Sequence, residues 1–214
     1  MQAWLLWTQR NSVIHGGHIQ DPVRLAKRSA DFLEEFRQTR DHLAIPTSVG
    51  GCNRWNPPPG ASFKINFDAA IFQDINATGF GAIIRNGLGE VMASISAKGP
   101  SAFDSEEAEV LACRKALEFA ADAGFSNLVI EGDNATVMTF VSNSRAAQSR
   151  LGHLYADIQC MVAGLHVFSV NCVPCSANSV AHSLACFARC ITDEVVWLEE
   201  SPPLALEALS FDSH

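Results

Sequence analysis

The sequence predicts an α/β domain, in which a mixed five-stranded sheet carries helices on both faces and follows an N-terminal helical extension. Two observations predict this class. Residues 62–70 alternate apolar and polar side chains after a proline-rich break, as a strand with one apolar face does. Two more strand patterns follow after short turns, and helical and strand patterns then alternate. The predicted order is βββαβαβα, with one extra helix before the fifth strand.

The chain divides into four parts by composition. Residues 1–45 have helical periodicity and are predicted to form the extension. Four of the nine prolines lie in residues 45–60, so a linker is predicted over residues 46–61. The α/β domain is expected over residues 62–191, and an acidic tail over residues 192–214.

The first three strands are predicted at residues 62–70, 78–85 and 90–96. The last two are separated by Asn-Gly-Leu-Gly at residues 86–89, which is a hairpin signal. Because short turns join all three strands, they are expected to form an antiparallel meander.

A long helix should open with the acidic first turn at residues 104–107 and end at Gly124. The next strand is reached through this helix, so it is expected to run parallel to the first. The remaining elements are predicted as a strand at 127–131, helices at 136–142 and 151–163, a strand at 167–173 and a closing helix at 178–190.

The net charge of −8 is unevenly distributed, because residues 191–214 carry six acidic and no basic side chains. A protein that holds nucleic acid by phosphate contacts alone should be basic. A nucleic-acid substrate would therefore require metal ions that offset this charge.

Seven cysteines form an odd number, and no small secreted scaffold surrounds them. This favours a reducing intracellular compartment, the nucleus or the cytoplasm. No apolar run approaches 18 residues and the start lacks a basic leader, so neither a membrane span nor a signal peptide is predicted.

Three acids stand at the ends or on the inner faces of predicted elements. Asp68 ends the polar face of the first strand, and Asp133 follows the apolar run at residues 128–130. Glu109 shares a helical face with apolar residues, which points it inward. Three such acids suggest a shared metal site. The alternatives are that Asp133 caps the following helix and that Glu109 is a solvated helix residue.

The order of these acids resembles the ribonuclease H family, most closely the plant RNase H-like domains related to non-LTR retrotransposon reverse transcriptases. The resemblance extends over about residues 50–204 and lies in segments 55–60, 63–70, 81–86, 108–112, 128–134, 177–185 and in Trp197-Leu198 with Pro202-Pro203. It implies a ribonuclease H-like fold. Residues 1–50 resemble the segment that precedes this domain in the retroelement-related group, which suggests a fragment of an ancestral polyprotein.

The resemblance implies metal-dependent endonucleolytic hydrolysis of the RNA strand of an RNA–DNA hybrid, with two Mg²⁺ ions for which Mn²⁺ substitutes. Asp68 would bridge both ions, Glu109 would hold the ion on the leaving-group side, and Asp133 would hold the ion that activates water. Asn134 is a weaker candidate for reading the 2′-hydroxyl of RNA. The chain is expected to act as a monomer without a membrane, and its protein partners are unknown.

This sequence departs from the family pattern at three positions. His182 falls where the family has its fourth metal-site carboxylate, and it is either a fourth ligand or a helix-surface residue. Cys172 and Cys175 fall where relatives usually have histidine and a basic residue. The alternative function is therefore a catalytically weak or inactive domesticated retroelement domain that binds nucleic acid or a protein partner.

The cysteines support a separate hypothesis. Cys172 and Cys175, followed by Cys186 and Cys190, could form a structural zinc site. The alternative is that the second pair are small core residues and that the first pair replace the family's histidine and basic residue.

Overall fold

The structure is a computed structural model that describes residues 54–142 and 150–212. The helical extension predicted for residues 1–45 and the first part of the linker lie outside the described residues. Among the described helices, none combines the length and the apolar character needed to cross a bilayer.

Six strands and five α-helices form the described part of the chain. The strands are β1 (Phe63–Phe72), β2 (Ala77–Arg85), β3 (Val91–Pro100), β4 (Asn127–Gly132), β5 (Val167–Cys172) and β6 (Glu194–Leu198). The helices are α1 (Ser105–Asp122), α2 (Ala135–Ser142), α3 (Gly152–Ala163), α4 (Ser179–Phe187) and α5 (Leu206–Asp212). The predicted order of the elements up to the closing helix is confirmed.

All six strands belong to one mixed sheet in the order β5-β4-β1-β2-β3-β6. The first three strands are antiparallel neighbours, and β1 pairs in parallel with β4, as predicted. The prediction of five strands was wrong by one, because part of the acidic tail forms β6 and pairs with β3. Val195, Val196 and Trp197 are all buried there, and their burial stabilises a strand in an otherwise acidic segment.

The closing helix α4 packs against the face of the sheet on which Asp68 lies. In the β1–β2 register Asp68 is opposite Gly81, so both point to the same face. A Cβ atom on Gly81 would lie 2.2 Å from the carbonyl oxygen of Ala181, which shows how closely the helix approaches. Phe67 points to the opposite face, where it packs beside Gly132. The absence of a side chain at Gly81 therefore brings α4 against the strand that carries Asp68.

Helix α1 begins as its acidic first turn predicts. The Asp104 carboxylate accepts a hydrogen bond of 2.8 Å from the backbone N–H of Glu107, and the Glu107 carboxylate accepts one of 2.8 Å from that of Phe103. These two bonds satisfy N–H groups that have no partner within the helix. The helix ends before Gly124, which has a φ of +85°. The hydrogen bonds at the start and the glycine at the end fix the limits of α1, and hence the position of Glu109.

The polar face of β1 is buried. Asn66 is fully buried and its side-chain oxygen accepts hydrogen bonds from Trp55 Nε1 at 2.9 Å and from Arg85 at 3.2 Å. Its amide donates to Glu131 at 3.1 Å, and Glu131 pairs with Lys64 at 2.6 Å. Because the side-chain oxygen and nitrogen of Asn66 both have partners, the strand tolerates the burial of its polar face. We call these five residues together with Asp212 the buried polar network.

Asp212 closes this network from the C-terminal helix. It forms an ion pair of 2.6 Å with Arg85, and the two side chains are 4% and 1% exposed. The Arg85 guanidinium also stacks 3.8 Å from the centre of the Trp55 ring. Helix α5, through Asp212, and the segment before β1, through Trp55, therefore both contact Arg85 at the end of β2.

Candidate metal centre

Asp68, Glu109 and Asp133 converge at one point. One carboxylate oxygen from each lies within 4.8 Å of the other two. Asp68 comes from the centre of β1, Glu109 from the first half of α1, and Asp133 from the residue after β4. Within residues 54–142 and 150–212, no other group of three or more histidine, cysteine or acidic side chains is this close. We call these three residues the acid cluster.

The acid cluster is electrostatically strained without a cation. Burial raises the pKa of Glu109 to about 9, and the charges of Asp68 and Asp133 contribute to this rise. Burial and the charge of Asp68 also raise the pKa of Asp133. Glu109 Oε2 is buried without a hydrogen-bond partner. Converging oxygen ligands with one unsatisfied buried oxygen fit a hard divalent cation, which would satisfy that atom and offset the repulsion.

Asp133 is available to the cluster because its neighbour caps the following helix. Asn134 Oδ1 accepts hydrogen bonds from the backbone N–H groups of Thr136 at 3.1 Å and Val137 at 3.2 Å. The alternative interpretation of Asp133 as the helix cap is therefore wrong. These two hydrogen bonds use the side-chain oxygen of Asn134, so only the side-chain nitrogen of Asn134 could bind a 2′-hydroxyl.

The alternative for Glu109 also fails, since a solvated helix residue would be exposed. Its side chain lies against the cluster and only 8% of the residue is accessible. The helical periodicity that pointed Glu109 inward is confirmed by this burial.

His182 contacts the cluster directly. Its Nδ1 atom lies 2.7 Å from Asp68 Oδ2, although the histidine side chain is 59% exposed and the Asp68 side chain only 4%. The hydrogen bond to Asp68 raises the pKa of His182 above its ordinary value. The residue is thus more than a helix-surface histidine. It places a donor and a positive charge where the family resemblance expects an anionic ligand.

Two thiols contact the acid cluster, and a third contacts His182. The Cys172 thiol donates to the Asp133 carbonyl oxygen at 3.7 Å, and the Cys175 thiol hydrogen-bonds the Asp133 carboxylate. That bond raises the pKa of the Cys175 thiol. Cys186 Sγ lies 3.5 Å from His182 Nε2.

The zinc site predicted from four cysteines is not formed in the described part of the chain. The only converging group of three or more ligating side chains there is the acid cluster. Cys172 and Cys175 instead bond to Asp133, and Cys186 bonds to His182.

Asn178 positions the closing helix, and the sequence did not single it out. Its amide donates 2.9 Å to the carbonyl oxygen of Phe67, the residue before Asp68. Its side-chain oxygen lies 3.4 Å from the Asn66 amide. In the sequence, Asn178 is a polar residue at the predicted start of an apolar helix, and a polar residue in that position usually caps the helix. Here it fixes α4, and with it His182, against β1.

The sequence model of the reverse transcriptase-like family matches residues 66–188. No curated protein sequence matches the chain significantly.

Solved structures of ribonucleases H share the fold. The RNase H1 of the halophilic archaeon Halobacterium salinarum NRC-1 is 26% identical, with a TM-score of 0.54 over 60% of this chain and 97% of that one. The N-terminal RNase H domain of a Mycobacterium tuberculosis protein, solved as a fusion with maltose binding protein, is 20% identical, with a TM-score of 0.53 over 60% and 94%. An RNase H1 isolated from compost by a metagenomic approach is 21% identical, with a TM-score of 0.50 over 60% and 96%.

Proposed function

Because the chain belongs to the reverse transcriptase-like family, whose model matches residues 66–188, we propose that it is a metal-dependent nuclease that cleaves the RNA strand of an RNA–DNA hybrid. The single observation that carries this proposal is the convergence of Asp68, Glu109 and Asp133 within 4.8 Å. Three carboxylates at such distances, of which Asp68 and Glu109 are buried and Asp133 is half-buried, have no structural benefit of their own, since burial and the charges of the two aspartates raise the pKa of Glu109.

The acid cluster would hold divalent cations, and Mg²⁺ suits its oxygen donors best, with Mn²⁺ as a substitute. When bound, the ions would lower the pKa of an attacking water and neutralise charge on the leaving oxygen. The two more buried acids sit on β1 and α1 rather than on loops, which holds them in a fixed geometry.

Glu109 and His182 determine the charge and the free oxygens that a cation would meet at the site. Glu109 holds a proton in the metal-free protein, because its pKa is about 9, and would have to release that proton to bind a cation. His182 donates its Nδ1–H to one oxygen of Asp68, which leaves the other oxygen of that carboxylate for a cation. The histidine ring is 59% exposed and therefore has room to swing away.

A second candidate function is a domain that binds nucleic acid without efficient turnover. The contact of His182 with Asp68 favours it, since this ion pair competes with a cation for the central ligand. Thiols at Cys172 and Cys175, where the resemblance expects a histidine and a basic residue, also favour it.

The deciding experiment uses the purified chain with an end-labelled RNA–DNA hybrid, in Mg²⁺ and in Mn²⁺. We expect cleavage of the RNA strand only, lost in Asp68→Asn. Asp74→Asn is the matched control, because Asp74 is exposed and pairs with Arg189 away from the cluster. Retained hybrid binding by folded protein without cleavage in either metal would reject the nuclease and support the second candidate.

A further inference from the structure

We propose that His182 and Cys186 form a binding site for a soft divalent cation, such as Zn²⁺ or Cd²⁺, beside the acid cluster. The two residues are one helical turn apart on α4, so their side chains lie on the same face of the helix. We call them the His–Cys pair. The site replaces the four-cysteine arrangement predicted from the sequence with a different set of ligands.

The spacing of the donor atoms supports this site. His182 Nε2 and Cys186 Sγ lie 3.5 Å apart. A tetrahedral zinc ion with one nitrogen ligand at about 2.0–2.1 Å and one sulfur ligand at about 2.3 Å requires these two atoms to be about 3.5 Å apart. The pair therefore already has the spacing of two metal ligands, and no backbone movement is needed to form the site.

The orientation of the imidazole supports it independently. Its other nitrogen, Nδ1, donates to Asp68 Oδ2 at 2.7 Å, which directs Nε2 toward Cys186. Metal-binding histidines typically donate their second ring nitrogen to a carboxylate in this way, and the carboxylate fixes the ring and strengthens the ligand. Asp68 is itself held in the centre of β1, so its oxygen is a rigid acceptor.

The chemistry of the pair selects a soft ion. A thiolate and an imidazole favour zinc-like cations, whereas Mg²⁺ prefers the oxygen ligands of the acid cluster. The His182 side chain is 59% exposed and Cys186 is half-buried, so a cation can reach the pair from solvent. No third histidine, cysteine or acid among the described residues converges with the pair, so water would complete the coordination.

Both sites use Asp68, and this shared residue couples them. A cation on the His–Cys pair would fix His182 on Asp68 and so keep one oxygen of that carboxylate engaged. It should therefore weaken Mg²⁺ binding, and Mg²⁺ should weaken the soft cation to the same extent. This coupling rests on the proposed function of the acid cluster, whereas the His–Cys site does not.

The test is a Cd²⁺ titration of the reduced, full-length chain, followed by the ultraviolet charge-transfer band between thiolate and metal. We expect a saturable band that Cys186→Ser abolishes. His182→Gln should lower the apparent affinity by about tenfold or more. Cys160→Ser is the matched control, since this exposed cysteine on α3 should leave the titration unchanged.

Three outcomes would overturn the site: no band in the wild-type chain, an undiminished band in folded Cys186→Ser, or equal Cd²⁺ affinity in His182→Gln. Protection of Cys186 from alkylation by Cd²⁺, read by mass spectrometry on the wild-type chain, checks the same site without a substitution. The coupling is tested separately by titrating Mg²⁺ into the Cd²⁺-loaded chain and monitoring the band. If calorimetry shows that Mg²⁺ binds the Cd²⁺-free chain, a normal band that Mg²⁺ leaves unchanged would refute the coupling alone. If Mg²⁺ does not bind that chain, the proposed function of the acid cluster fails and the His–Cys site stands.

Discussion

His182 Nδ1 lies 2.7 Å from Asp68 Oδ2, so the closing helix places an imidazole against the central carboxylate of the acid cluster. This contact bears on whether the domain cleaves nucleic acid or only binds it, because the imidazole and a metal ion compete for Asp68. The cluster retains three acids, but one oxygen of its most central member is already engaged.

Replacing His182 by aspartate should therefore strengthen cation binding. The change removes a competing donor and adds an oxygen ligand, and we expect Mg²⁺ affinity to rise by at least about tenfold, since charge reversal at this distance is worth more than 1.4 kcal/mol. Isothermal titration with Mg²⁺ measures it, with His182→Ala as control for loss of the competitor. The expectation is wrong if the aspartate variant binds no more tightly than the alanine variant.

Stability of the metal-free chain should depend on pH through Glu109. Its pKa is about 9 in the folded chain, whereas its ordinary value is 4.5. Between pH 4.5 and pH 9 the folded state therefore holds a proton that the unfolded state has released. The stabilisation is complete below pH 4.5 and is lost as pH rises toward 9. Glu109→Gln should flatten thermal stability across this interval in the presence of EDTA.

The matched control for this change is Glu118→Gln on the same helix. Glu118 is partly exposed and pairs with Arg114. Its variant should follow the wild-type pH curve. Parallel curves for Glu109→Gln and the wild type would contradict the burial of a protonated Glu109.

Gly81→Ala should separate α4 from the sheet. The new methyl group would lie 2.2 Å from the carbonyl oxygen of Ala181 and 2.4 Å from the backbone nitrogen of Ala185, both rigid helix atoms. We expect a loss of about 1–3 kcal/mol in urea unfolding, because the added methyl group forces the helix away from the sheet. Gly87→Ala is the control, since its nearest neighbour would be 3.5 Å away. Equal stability of both variants would refute the tight helix–sheet contact.

Asp212→Ala should destabilise the domain although Asp212 belongs to the buried polar network and not to the acid cluster. It leaves the buried Arg85 guanidinium without its carboxylate, and such losses typically cost about 3–5 kcal/mol. Asp74→Ala breaks the exposed pair with Arg189 and should lower stability far less than Asp212→Ala does. Denaturant unfolding distinguishes them. Similar midpoints for the two variants would mean that α5 adds little to the fold.

Local signals explain what the sequence predicted well. The boundaries of α1 follow from the cap at Asp104 and the stop at Gly124, which are close in sequence to the atoms they satisfy. The hairpin at residues 86–89 follows from Asn86, whose side chain accepts hydrogen bonds from the backbone N–H groups of Leu88 and Glu90. Such contacts can be read without knowing the fold.

The features that the sequence did not reveal depend on distant partners. Alternation in β1 suggested a polar face, but Asn66 is buried because Trp55 and Arg85, from other segments, satisfy it. Strand β6 was missed because its apolar run is short and its partner β3 lies far away in the sequence. The convergence of the acids was predicted from their positions on three elements, although Asp68 lies in the middle of β1 rather than where its strand ends. The contact of His182 with Asp68 was not, since it depends on how closely α4 approaches Gly81.

The position of β1 between a local and a remote neighbour also has a kinetic consequence. It meets β2 across a short turn, but it meets β4 only after the whole of β3 and α1 has intervened. The antiparallel meander can therefore form early, whereas the three acids meet only when the parallel pairing closes. Their repulsion should then shorten the lifetime of the native state rather than slow its formation. In a denaturant-jump experiment, Asp133→Asn should lower the unfolding rate and leave the folding rate unchanged. An effect confined to the folding rate would instead place the cluster in the folding nucleus.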